Sequence, residues 1–132
     1  MGGAAKRDKA ARILVIEDEE VVRNTTSAIL ESLGYQVTTA ADGQEGVAAY
    51  EKGREEIDLV LLDMVMPQMD GKECMERLRR IDPRVRVVVI TGYTTPDGGD
   101  WFDLSRPDAV VAKPLTVGEL GRVVAEVINR PE

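Results

Sequence analysis

Five short, β-branched runs, four of them largely apolar and one, 35–40, half-polar, are separated by longer charged stretches and constrain this chain more than any other feature. Residues 13–16, 35–40, 57–62, 85–90 and 109–112 are each of strand length. The run 13–16 is wholly apolar, and 57–62 is interrupted only by Asp58. Strands buried on both faces read this way, whereas a sheet with one wet face alternates polar and apolar residues. Between the runs, apolar residues recur at helical spacing. Val22, Thr26, Ile29 and Leu33 form one stripe, with Gly34 as a stop. A helix from about Asp42 to Gly53 turns Val47 and Tyr50 inward. Another, over 72–81, does the same with Cys74, Leu78 and Ile81 before Pro83 ends it. Thr116 caps a last helix carrying Leu120, Val124, Val127 and Ile128. Strands alternating with helices give an α/β domain: a doubly wound, five-stranded parallel sheet with right-handed crossovers.

One connection departs from that rule. Between the fourth and fifth strands, residues 94–108 contain Pro96, Gly98, Gly99 and Pro107. These favour turns over helix. The expectation is a degenerate fourth helix, limited to about 100–105 with Trp101, Phe102 and Leu104 as its packing residues, in a partly mobile loop. Residues 1–11 are basic and rich in Ala and Gly, and read as a linker or a leftover of cloning; the domain runs 12–130.

Composition narrows the chemistry. The 132 residues include no histidine and one cysteine, and 24 acids against 17 bases give a net charge of −7. Imidazole acid–base catalysis, His-containing zinc sites and internal disulfides are thereby excluded. The acidic excess argues against a nucleic-acid surface. No apolar run approaches the ~20 residues of a membrane span, and no signal-peptide core is present. A cytoplasmic domain without membrane contact is expected.

Ligands of open parallel sheets sit beyond the carboxyl ends of the strands. Strand one leads into Glu17-Asp18-Glu19-Glu20, strand three into Asp63, strand four into Thr91 and strand five into Lys113-Pro114. Glu19 and Glu20 need no ligand, since acids complement a helix N-terminus. Glu17, Asp18 and Asp63 together would repel one another, and a hard divalent cation, Mg²⁺, removes the repulsion. Cys74 reads as an inert core residue.

The ordered segments ARILVIEDEE, DLVLLDMVMPQMDG, VVVITGY and VVAKPL resemble the receiver domains of bacterial two-component response regulators. The resemblance covers residues from about 12 to 130. It implies the flavodoxin-like strand order 2-1-3-4-5 and a phosphorelay role. Asp63 would accept a phosphoryl group from a phosphohistidine on a histidine kinase or histidine phosphotransfer domain. Glu17, Asp18, Asp63 and the main-chain carbonyl of Val65 would hold Mg²⁺, Thr91 would bond the phosphoryl oxygen, and Lys113 would pair with it. The Lys113–Pro114 bond would be cis. A downstream protein partner would read the change in shape, and independent enzymatic turnover is not expected.

The chain departs from the family's commoner pattern in Glu17, where aspartate is usual, and in Val110, where Tyr or Phe often serves as a switch. Together with the altered 92–108 segment, Val110 suggests signalling through reordering of that segment around Trp101 and Phe102. Val65 and Tyr93 offer no group to orient a hydrolytic water, so dephosphorylation should be slow. A docking face for the donor would include Val21, Thr25 and Leu115. The TGY triplet and the linker-like start lean toward the receiver of a hybrid histidine kinase. The alternatives are a pseudo-receiver that only binds, an aspartate-nucleophile phosphatase, which would carry Asp-x-Asp after strand one, and a flavin module, whose phosphate loop would not read Glu-Asp-Glu-Glu.

Overall fold

The computed structural model describes residues 10–64, 66, 69–92, 106–113 and 115–131. The strands are β1 (Arg12–Ile16), β2 (Gln36–Ala40), β3 (Leu59–Asp63), β4 (Val87–Thr91) and β5 (Ala109–Ala112). All pair in parallel, in the order β2-β1-β3-β4-β5. The described helices are α1 (Glu20–Ser32), α2 (Gly43–Gly53), α3 (Gly71–Ile81) and α4 (Val117–Ile128). The expected degenerate helix, with Trp101, Phe102 and Leu104, lies outside the described residues, as do Val65, Tyr93 and Pro114.

Alternate residues of the same strands feed two cores. Leu14, Ile16, Val60, Leu62, Val87 and Val89 pack with Tyr50 of α2 and with Cys74, Met75 and Leu78 of α3. Ile13, Val15, Leu59, Leu61, Val88, Ile90 and Val111 pack with Leu30 of α1 and with Leu120, Val123, Val124 and Val127 of α4. This two-sided burial is why the runs lack polar alternation. Apolar surface removed from water at roughly 25 cal/mol per Å² makes these two layers the main source of stability.

Local signals set the helix boundaries. Asp42, Asp70 and Thr116 each accept a hydrogen bond from the main-chain N–H three residues on, at Glu45, Glu73 and Glu119. These are side-chain caps of the ordinary kind, and the Asp70 cap starts α3 at Gly71, one residue earlier than the periodicity indicates. At the end of α1, Gly34 has φ of 97°. Its N–H donates to Glu31 O, and that of Tyr35 donates to Leu30 O, a Schellman termination that needs a residue at ease with positive φ. The stripe on α1 holds at Thr26, which is buried, and at Val22 and Ile29, which are half-buried, and needs correction only at its end. Thr26 and Leu30 are its buried residues, and Leu33 is 41% exposed because the chain leaves the helix there.

Gly46 brings α2 close to the sheet, since a Cβ built there would lie 2.3 Å from Ile16 Cδ1. No described helix is long and apolar enough to cross a membrane.

Candidate functional site

Register decides which side chains share the carboxyl rim of the sheet. Ile16 pairs with Leu62, so Glu17 and Asp63 follow at the same level on adjacent strands. Asp63 pairs with Ile90, and Thr91 with Ala112. Lys113 therefore begins beyond Thr91, and its N–H donates to Thr91 O at 2.9 Å. From there the long lysine side chain reaches back across β4.

Its ammonium stands 3.6 Å from Asp63 Oδ1 and 3.9 Å from Glu17 Oε1. Glu17 and Asp63 are each only 2% exposed, and Asp18 is half-buried. Carboxylate oxygens of Glu17, Asp18 and Asp63 all lie within 4.8 Å of one another. Thr91, partly buried, closes β4 beside this group. The rim thus brings together Glu17, Asp18, Asp63 and Lys113, with Thr91 at the adjoining strand end. Val65 is outside the described residues. Glu19 and Glu20 are exposed at the start of α1, in keeping with a helix-terminus role.

Glu17 is held on several sides. Its N–H donates to Ala40 O at 3.1 Å. Its Oε2 accepts from the Glu19 N–H at 3.0 Å, and its carbonyl accepts from Arg23 Nη1 at 2.9 Å. Its Oε1 is buried and without a hydrogen-bond partner. Burial pushes the Glu17 carboxyl up to about 8; the bond from Glu19 pulls the other way, and the adjacent Asp63 and Asp18 raise it further. A buried acid crowded by two others, with one oxygen lacking a hydrogen bond and only the Lys113 ammonium at 3.9 Å to offset it, is an incomplete arrangement. Hard oxygen donors so placed fit a divalent cation of the Mg²⁺ type, which would supply the missing positive charge.

Two residues at this site escaped the sequence reading. Arg23 lies six positions beyond Glu17, outside any apolar periodicity. Gly71 packs its α-carbon against the main chain after the acid: a Cβ there would lie 2.8 Å from Met64 Cα and 3.0 Å from Asp63 O. The Gly directly after the Met-Asp pair 69–70 was the available signal. Gly92 is exposed, with nothing within 4 Å of a Cβ built on it. Of the expected docking residues, Val21 is 76% exposed and Thr25 is exposed, whereas Leu115 packs partly into the core. Val110 is 47% exposed on β5. Away from the rim, Cys74 is buried, as expected of a core residue.

A 2-1-3-4-5 parallel sheet carrying acids after β1 and at the end of β3, with a lysine after β5, defines the receiver class of two-component signalling proteins. Residues 13–125 match the response regulator receiver domain, and the chain belongs to that family. It is 35% identical over 118 residues to the response regulator receiver protein CpdR of Brucella abortus, covering 89% of this chain and 96% of that protein. It is 30% identical over 123 residues to the sensor kinase CckA of the same organism, covering 93% of this chain but only 13% of that protein. Among solved structures, it resembles the receiver domain of sensor histidine kinase PA1611 from Pseudomonas aeruginosa, which has a magnesium ion in its active-site cleft. That likeness has a TM-score of 0.83 at 29% identity and covers 92% of this chain and 99% of the other. Receiver domains are signalling modules.

Proposed function

We propose that this domain accepts a phosphoryl group on Asp63 from a phosphohistidine of a histidine kinase or phosphotransfer partner. The observation that carries the reading is the position of Asp63, buried with the Lys113 ammonium 3.6 Å from its Oδ1 and with carboxylate oxygens of Glu17 and Asp18 within 4.8 Å. A carboxylate can act as a nucleophile in this way. One Asp63 oxygen forms the new O–P bond as the N–P bond of the donor breaks, and the departing imidazole keeps the electron pair and takes up a proton from solvent. The chain has no histidine, so the donor group comes from elsewhere.

Most of the catalytic demand in such a transfer is positioning and charge neutralisation. Lys113 faces the transferring oxygens from β5, and the Thr91 hydroxyl donates to one of them from β4. Glu17, Asp18 and Asp63 would hold Mg²⁺. When bound, it neutralises charge on the phosphoryl oxygens and offsets the mutual repulsion of the acids. The exposed Val21 and Thr25 on α1, beside the rim, offer a surface on which a donor can dock. A change in shape on phosphorylation would carry the signal to a downstream protein in the cytoplasm, and hydrolysis of the phosphoryl group would be slow. Independent enzymatic turnover is not part of the role.

Incubation with acetyl phosphate or phosphoramidate and Mg²⁺, followed by intact mass, tests the reading. The expected result is a single phosphoryl adduct that Asp63→Asn abolishes. An absence of adduct with every donor, in protein that demonstrably binds Mg²⁺, would overturn it and leave a binding-only pseudo-receiver.

A further inference from the structure

Glu17 sits at the point where the ladder of β1 ends, since Ile16 is the last residue of that strand to pair. Past that point the turn must be held by other means. Two of its ties use main-chain groups, Ala40 O and the Glu19 N–H, which a change of side chain other than to proline leaves in place. The third is a side chain, the Arg23 guanidinium on the Glu17 carbonyl at 2.9 Å. Arg23 is in the opening turns of α1 and half-buried, so its head group folds back over the turn instead of extending into water. The Glu17 carbonyl belongs to the peptide plane that joins Glu17 to Asp18. Fixing that plane restrains ψ of Glu17 and φ of Asp18, and so limits the directions in which both side chains leave the backbone.

We propose that Arg23 is a positioning residue for the carboxylate cluster: its bond to the Glu17 carbonyl orients the Glu17-Asp18 peptide so that both acids meet Asp63. The inference rests on the reading of this cluster as an Mg²⁺ site, and it can be separated from that reading by experiment. It also opposes simple electrostatics in sign. A positive charge near a cation site weakens cation binding, so deletion of that charge alone would tighten Mg²⁺. Loss of a positioning contact loosens it, and outer contacts of metal sites typically account for about 10-fold or more in affinity.

The test is calorimetric titration of Mg²⁺ into the wild type, Arg23→Met and Arg23→Lys. It is combined with amide NMR of the metal-free proteins, following Asp18 and Glu19. Arg23→Met is expected to bind Mg²⁺ about 10-fold more weakly. The Glu19 amide, which donates to Glu17, should move in the metal-free spectrum while resonances of the distant β5 stay in place. Arg23→Lys, which keeps a donor, should recover part of both effects. If Arg23→Met binds Mg²⁺ as tightly as the wild type or more tightly, or leaves the Asp18 and Glu19 amides unmoved, the inference falls. A wild type that binds no Mg²⁺ would instead defeat the metal reading, and the amide shifts would still decide the role of Arg23. Should Arg23→Met fail to fold, Arg23→Gln is read by the same two measurements.

Discussion

Lys113 Nζ stands 3.6 Å from Asp63 Oδ1, an ion pair made across the intervening strand β4. At that separation the two groups attract without a tight hydrogen bond, and the lysine stays able to follow a phosphoryl oxygen. Lys113→Met keeps much of the side-chain volume and removes the charge. It should slow phosphorylation of Asp63 by acetyl phosphate about 10²-fold, the magnitude typical of losing one group that stabilises developing charge. The time course of the adduct by intact mass measures this, and a rate within a few-fold of wild type would contradict it.

Glu17 makes metal-free stability depend on pH. Its carboxyl ordinarily loses its proton near 4.5, and burial with the neighbouring Asp63 and Asp18 moves that loss to about 8 in the folded chain. Between those values the folded state holds more protons than the unfolded state, so stability falls as pH rises. The contribution is fully present below pH 4.5 and gone above about pH 8. Thermal midpoints without metal should therefore decline through this window. Glu17→Gln should flatten the decline and melt higher than the wild type at pH 8. A wild-type midpoint that rises over the same interval would oppose the argument.

Cys74 should be chemically silent in the native protein. It is fully buried, and burial pushes its thiol up from 9.0 to about 12. At pH 8 the thiolate fraction falls from roughly one in ten to roughly one in ten thousand, and the thiolate is the reactive form. Labelling by a disulfide reagent should be at least ~10³-fold slower in the folded protein than in denaturant. Fast native labelling would place the third helix ajar.

The central strands were legible because burial on both faces writes itself as nearly continuous apolar runs, and the acids were legible because each falls where such a run stops. Thr91 and Lys113 follow the same logic. Contacts that cross the fold leave no such trace. Arg86, at the foot of β4, donates to the carbonyls of Val127, Ile128 and Arg130 and so closes the end of α4, which has no basic residue in its own last turn. Nothing near 128 in the chain signals a cap supplied from more than forty residues away. The exposure of Leu33 was hidden for the opposite reason: its spacing fits the stripe, but the positive φ of Gly34 turns the chain first. Arg23 sits between these cases, close in sequence to Glu17 yet invisible to periodicity, because its role is a bond to a carbonyl and not burial.

Two glycines give opposite forecasts from the same substitution. At Gly71 a Cβ would meet Met64 Cα at 2.8 Å and Asp63 O at 3.0 Å. Both are main-chain atoms that cannot swing aside, and the Gly71 N–H already donates to Met64 O at 3.0 Å. Gly71→Ala should destabilise by about 1–3 kcal/mol, as overpacking does, and should weaken Mg²⁺ binding because the displaced backbone carries Asp63. At Gly118, within α4, nothing lies within 4 Å of an added Cβ. Gly118→Ala should stabilise by about 0.5–1 kcal/mol through the lower backbone entropy of its unfolded chain. Urea denaturation of both variants checks the pair. Equal effects of the same sign would mean that the close approach of α3 to Asp63 does not govern the geometry of the site.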